Sequence, residues 1–159
     1  IPGGSREFVQ WVIPIEASGS SGTSGVSGSS CPAGAVGSGY FIWPADNHYL
    51  TGNDFWSGHL AIDIAANTGA AIYAADSGVV TMAQGGYNYG YGNVIAIDHG
   101  NGFATLYAHL SQINVGTCQS VYAGQMIGLS GNTGNSFGAH LHFEIRHNGA
   151  FENPWRWLP

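Results

Sequence analysis

His140-Leu141-His142-Phe143-Glu144-Ile145 has the alternating pattern of a β-strand. Side chains on a strand alternate between two faces. Leu141, Phe143 and Ile145 therefore share a face suited to a core, while His140, His142 and Glu144 share the other. Alternate Cα atoms lie about 7 Å apart. That is too far for both imidazoles to occupy one spot by default. It is near enough for one to hold a metal while the other acts beside it. Glu144 is either a partner behind the metal-facing residues or a solvated carboxylate.

Two further stretches follow the same rule. In His59-Leu60-Ala61-Ile62-Asp63-Ile64, the residues Leu60, Ile62 and Ile64 point one way. His59 and Asp63 point the other way, with the small Ala61 between them. Together with His142 they make two imidazoles and one carboxylate. Three protein ligands with a position left for water is the pattern of catalytic zinc sites. In Thr105-Leu106-Tyr107-Ala108-His109-Leu110, alternation places His109 opposite Leu106, Ala108 and Leu110, near a strand end. A lone histidine on a sheet face is ordinarily solvated or hydrogen-bonded. Three strands that each present His or Asp opposite their apolar residues make a site the better reading. His48, His99 and His147 fall in turns or at strand ends and read as surface residues.

From residue 39 onward the pattern is all-β. Short runs of β-branched and aromatic residues alternate with turns rich in Gly, Asn and Asp. The expected strands are 40–43, 59–65, 71–74, 78–82, 93–98, 104–109, 126–129 and 140–146. Asp98-His99-Gly100-Asn101-Gly102 is a hairpin turn between two of them. No window shows a helical period, and no repeat is evident. The 26 glycines suit many tight turns.

The chain has 159 residues, with 44% hydrophobic and only 8% charged. It holds no lysine, and its basic residues besides histidine are Arg6, Arg146 and Arg156. The net charge of −6 excludes nucleic acid, whose phosphates need clustered Lys and Arg. It also argues against broad adhesion to anionic walls or lipid. No apolar run reaches the roughly 20 residues of a membrane span. The N-terminus lacks a basic segment followed by an apolar one, so it reads as a mature or truncated end.

Residues 1–17 hold a short apolar stretch within 8–15, Phe8-Val9-Gln10-Trp11-Val12-Ile13-Pro14-Ile15. It is either a strand that docks on a sheet edge, of this chain or a neighbour, or the remnant of an upstream module. Residues 18–38 are a linker, Ser/Gly-rich over 18–30. Residues 39–159 form the domain. Cys31 and Cys118 are too far apart for a zinc ribbon or a redox motif. In an exported chain they would pair as a disulfide. Otherwise they are two separate buried thiols. Closing so long a loop is worth on the order of 4 kcal/mol in the chain-entropy model.

The chain resembles the lysostaphin and LytM-type zinc metallopeptidases, which cleave peptidoglycan stems or cross-bridges. The resemblance runs through Gly58-His59-Leu60-Ala61-Ile62-Asp63-Ile64-Ala65, Ile97-Asp98-His99-Gly100-Asn101-Gly102 and Leu106-Tyr107-Ala108-His109-Leu110. It continues through Gly128-Leu129-Ser130-Gly131-Asn132-Thr133-Gly134-Asn135-Ser136 and His140-Leu141-His142-Phe143-Glu144, and spans about residues 40–154. It implies an antiparallel β-sheet core of LytM type, the duplicated hybrid architecture, with a groove walled by loops at 82–92 and 132–138. It implies one Zn2+ ion on His59, Asp63 and His142, with His109 and His140 acting on the substrate. It implies a secreted or wall-associated bacterial enzyme, a zinc metalloendopeptidase that cuts peptide bonds of peptidoglycan.

The alternative is a catalytically silent wall-binding, regulatory or assembly protein on the same fold. Such a chain would be expected to have lost ligands, and here all are present. A third possibility is a zinc protease acting on Gly-rich segments of ordinary proteins.

Overall fold

The hairpin at Asp98 organises the sheet. Gly100 and Gly102 adopt φ of +73° and +89°, in the left-handed region that favours glycine, and the Gly100 N–H donates to Asp98 Oδ1. The strands that leave this turn, β4 (Asn93–Asp98) and β5 (Phe103–Ile113), pair antiparallel over most of β4. The computed structural model describes Ile15 and residues 31–159. Among them the other strands are β1 (Ile62–Ala65), β2 (Ala71–Tyr73), β3 (Gly78–Gln84), β6 (Ser120–Val121), β7 (Met126–Ser130), β8 (His140–His147) and β9 (Ala150–Glu152).

All described pairings are antiparallel, and the strand order is β1-β8-β5-β4-β3-β6. β7 pairs with both β5 and β2, and β9 pairs with β8. The all-β antiparallel architecture is the expected one. No α-helix occurs among the described residues, and so none there is long and apolar enough to cross a membrane.

β8 lies between β1 and β5, which fixes the site. Asp63 pairs with His142 across β1–β8, and Ala108 pairs with His142 across β5–β8. One face of these strands carries the main core, with Ile62, Ile64, Tyr107, Leu141, Phe143 and Ile145 all buried. Truncating a side chain such as Phe143 to Ala costs about 3–5 kcal/mol in cores of this kind. The opposite face carries His140, His142 and Glu144. A smaller apolar cluster of Tyr91, Val94, Leu106 and Ala108 sits there, with Ile15 and Met82 packed against it.

Several local expectations need correction. Residues 40–43 alternate, with Phe41 and Trp43 buried and Tyr40 and Ile42 exposed, yet they form no strand. The segment follows residues 72–75 through single contacts, such as Ile42 N–H to Ala75 O, and not through a ladder. The strand expected over 59–65 begins only at Ile62. His59 sits in a tight turn whose N–H and C=O both bond to Trp56. β3 runs on to Gln84, so the loop expected from Met82 begins at Gly85. The short strands β6 and β9 were not expected, because two or three residues carry no measurable alternation.

The expected linker is described only from Cys31 on, and there it is tied to the body. Cys31 and Cys118 form a disulfide. The Ala35 N–H donates to Ser120 Oγ, and the Gly37 N–H donates to the His99 carbonyl. Asp76 accepts from the N–H groups of Ser38 and Gly39. The apolar stretch at residues 8–15 lies outside the described residues, apart from Ile15.

Candidate metal centre

His59 Nε2, Asp63 Oδ1 and His142 Nδ1 converge on one point. These atoms lie within 4.8 Å of one another. Asp63 Oδ1 is 3.2 Å from His59 Nε2 and 3.3 Å from His142 Nδ1. Two donors about 2.05 Å from a tetrahedral ion stand about 3.3 Å apart, so the spacing suits Zn2+. His59 Nε2 and Asp63 Oδ1 are buried and make no hydrogen bond among the described residues. A desolvated carboxylate oxygen facing ring nitrogens is costly unless a cation joins it. The residues therefore fit a metal ion of zinc's size and donor preference.

The surroundings aim each of these donors. His59 Nδ1–H donates to Ala61 O at 3.0 Å and to Asp54 O at 3.2 Å. A nitrogen facing a carbonyl must carry the proton, so Nε2 holds the lone pair. Asp63 Oδ2 accepts the Asn53 N–H at 3.1 Å, leaving Oδ1 for the cluster. Gly52 packs against this carboxylate: a Cβ there would sit 3.1 Å from Asp63 Oδ2.

His142 is held by a buried charged network. Its Nε2–H donates to Glu144 Oε2 at 3.0 Å, and Tyr91 OH donates to the same oxygen at 2.7 Å. Arg146 donates to Glu144 Oε1 from Nε at 3.0 Å and from Nη2 at 2.7 Å. The Arg146 guanidinium lies 4.5 Å above the Phe151 ring centre. Of the two roles open for Glu144, the solvated carboxylate is overturned, since the residue is fully buried. Burial alone would raise its pKa, but His142, Arg146 and Tyr91 outweigh burial and lower it. Asp63 is likewise held well below the ordinary carboxylate range, because His140, His142 and His59 overcome its burial. Burial alone would depress His142; Asp63 and Glu144 prevail and raise its pKa to about 9.

His109 reaches the same site by a route that alternation does not predict. Strict alternation keeps it with Thr105 and Tyr107, yet Tyr107 is in the main core. Leu106 and Ala108 lie on the site face instead. The register of β5 against β4 slips after Tyr107, the mark of a β-bulge, and His109 takes φ of +62°. The extra residue turns His109 onto the site face, its ring 4.9 Å from that of His140 and 5.7 Å from that of His142. His109 Nδ1–H donates to Thr133 O, and His140 Nδ1–H donates to Gly138 O, each at 2.7 Å. His140 Nε2 is 3.5 Å from Asp63 Oδ1.

The other histidines stand apart from this cluster. His99 is fully buried, contrary to the surface position read from its turn. It donates from Nδ1 to Ser77 O and accepts at Nε2 from Thr105 Oγ1, which is 2.7 Å from Tyr107 OH. Burial pushes its pKa down. His48 stacks on Trp43, and His147 stacks on Phe103.

Comparison with known proteins identifies the family. The pattern described as Peptidase family M23 matches residues 57–154. The chain is 46% identical over 99 residues to the DD-carboxypeptidase/endopeptidase Mpg of Neisseria meningitidis, covering 62% of this chain and 22% of that one. It is 42% identical over 120 residues to the murein hydrolase activator NlpD of Salmonella dublin, covering 74% of this chain and 31% of that one. The chain thus spans a fifth to a third of the length of these relatives. The catalytic domain of lysostaphin from Staphylococcus simulans superposes with a TM-score of 0.57 at 33% identity, over 74% of this chain and 86% of that one. With the family pattern covering more than half of its length, and the same sheet in a solved relative, the chain belongs to peptidase family M23.

Proposed function

We propose that the chain is a zinc endopeptidase that hydrolyses peptide bonds of bacterial peptidoglycan outside the cytoplasm. The observation that carries this reading is the convergence of His59, Asp63 and His142 with His109 and His140 beside them. A chain that only binds or tethers has no need of ring nitrogens turned toward a buried carboxylate. The disulfide between Cys31 and Cys118 suits an oxidising compartment.

His59 Nε2, Asp63 Oδ1 and His142 Nδ1 would hold the ion. When bound, zinc polarises a carbonyl as a Lewis acid and lowers the pKa of its water toward about 7. Glu144 keeps the His142 proton on Nε2, and the carbonyls of Asp54 and Ala61 keep the His59 proton on Nδ1. Nε2 of His59 thus presents its lone pair directly, and Nδ1 of His142 does so once it gives up its proton to the incoming ion. His109 and His140 share the proton traffic of amide hydrolysis: one proton leaves the attacking water and one arrives on the departing amine. Their Nδ1–H groups are engaged by backbone carbonyls, so Nε2 of each is the atom that handles the proton. The same Nε2 atoms are placed to steady the developing oxyanion once protonated.

The second reading, an activator of other wall hydrolases, is favoured by the similarity to a murein hydrolase activator. Purified peptidoglycans with different cross-bridges separate the two. The peptidase reading expects loss of turbidity and released peptide fragments by mass spectrometry, both abolished by a chelator and restored by zinc. Full zinc occupancy with no fragments from any peptidoglycan would sink it and leave the activator.

A further inference from the structure

The two histidines beside the ligand cluster, His109 and His140, hang from one loop. Thr133 O and Gly138 O accept from His109 Nδ1–H and His140 Nδ1–H. Both acceptors belong to residues 132–138, between β7 and β8. The ligands take nothing from this loop among their described hydrogen bonds: His59 leans on Asp54 and Ala61, and His142 on Glu144.

The loop is itself built into place. Thr133 Oγ1–H donates to Leu110 O at 2.7 Å, and Oγ1 accepts the Asn93 N–H at 3.1 Å. One side chain thus ties the loop to β5, just past His109, and to the start of β4. The Asn135 N–H donates to Gly90 O at 2.8 Å. Gly134, at φ +75°, lies against the 88–92 turn so closely that a Cβ would sit 2.4 Å from Gly90 O. Asn132 Oδ1 accepts the Gly138 N–H at 3.0 Å and closes the loop on itself.

We propose that residues 132–138 position both His109 and His140, and that Thr133 is the positioning residue that seats His109. Its carbonyl selects the Nδ1–H tautomer of His109, and its hydroxyl sets where that carbonyl stands. The catalytic meaning of this rests on the peptidase reading; the tautomer selection does not. An error of about 1 Å in such a group is enough to cost about 100-fold in rate.

Thr133→Val keeps the β-branched shape and removes both hydroxyl bonds. It should lower kcat about 10- to 100-fold, with KM within about threefold and one zinc per chain retained. Thr133→Ser should restore kcat to within about threefold of the parent. Long-range 1H–15N spectra of the zinc-loaded protein should show a single Nδ1–H tautomer for His109 and His140. The valine variant should lose this signature at His109. That readout needs no turnover, so it decides the positioning role even if the parent cleaves no peptidoglycan. Unchanged kcat with an unchanged His109 signal overturns the proposal, as does loss of zinc alongside loss of activity. If Thr133→Val does not fold, Gly134→Ala, which must push the loop off Gly90, is held to the same expectations. If neither folds, the loop is scaffold and the proposal falls.

Discussion

The ligand half of the site and the proton-handling half are held by different kinds of structure. Asp63 and His142 lie on paired strands, and His142 is backed by the buried Glu144–Arg146 pair. His109 sits on a bulge, His140 starts β8, and both lean on backbone carbonyls of one loop. A carboxylate behind a ligand imidazole raises its basicity and fixes its orientation toward a cation. A neutral carbonyl selects a tautomer without adding charge, which suits a group that must take up and release a proton. Among the ligands this backing carboxylate belongs to His142 alone, since His59 leans on the carbonyls of Asp54 and Ala61.

The largest test of this contrast is a pair of deletions. His142→Ala should lose stoichiometric zinc and all turnover. His109→Ala should keep zinc and lose about 100- to 10,000-fold in kcat. Metal analysis beside kinetics checks this, and zinc loss in the His109 variant would erase the division. Next in size is Glu144→Gln, which weakens the acceptor behind His142. It should cost about 10- to 100-fold in zinc affinity or activity, read by chelator competition. An unchanged affinity would reduce Glu144 to packing.

A smaller effect concerns pH. With its pKa raised to about 9, His142 is protonated at neutral pH before metal binds, so zinc must displace that proton. Affinity should therefore weaken by about tenfold per pH unit as pH falls below about 9. Calorimetry in buffers of different ionisation enthalpy should find about one proton released at pH 7 for this residue. Finding none would mean that the ligand half is not charged in the way described.

The smallest effect lies outside the site. His99 titrates below its ordinary range, so the folded state resists a proton that the unfolded chain accepts. Its contribution to stability is complete above about pH 6.5 and is lost as pH falls through its lowered pKa. Protonated Nε2 would also reverse the Thr105–Tyr107 hydrogen-bond chain, where Tyr107 OH already accepts from the Ala75 N–H. Melting curves at decreasing pH should fall more steeply for the parent than for His99→Gln. Equal slopes would contradict this.

Much of the site could be read without coordinates, for reasons that differ from residue to residue. His140, His142 and Glu144 were legible because β8 is regular and two-fold alternation holds along it. His59 was read on a strand but sits in a turn, and it reaches the cluster because the chain folds back at Trp56. His109 was placed on the polar face by an alternation that the bulge breaks. Tyr91 and Arg146 gave no signal, since a tyrosine in a turn and an arginine on a strand ordinarily face water. Thr133 and Gly138 act through carbonyls, which every residue possesses and no letter distinguishes.

Alternation, turn chemistry and the spacing of His and Asp therefore determined the all-β class, the hairpin at Asp98 and the set of candidate side chains. These properties are local, set by sterics over a few residues. The tertiary structure alone decided which nitrogen of each imidazole faces the cluster, how Glu144 is neutralised, and that one loop serves both His109 and His140. Some of the partners stand only two residues away, as Glu144 does from His142, but they act together with others as distant as Tyr91 is from Glu144, 53 residues along the chain, where local sterics carry no information.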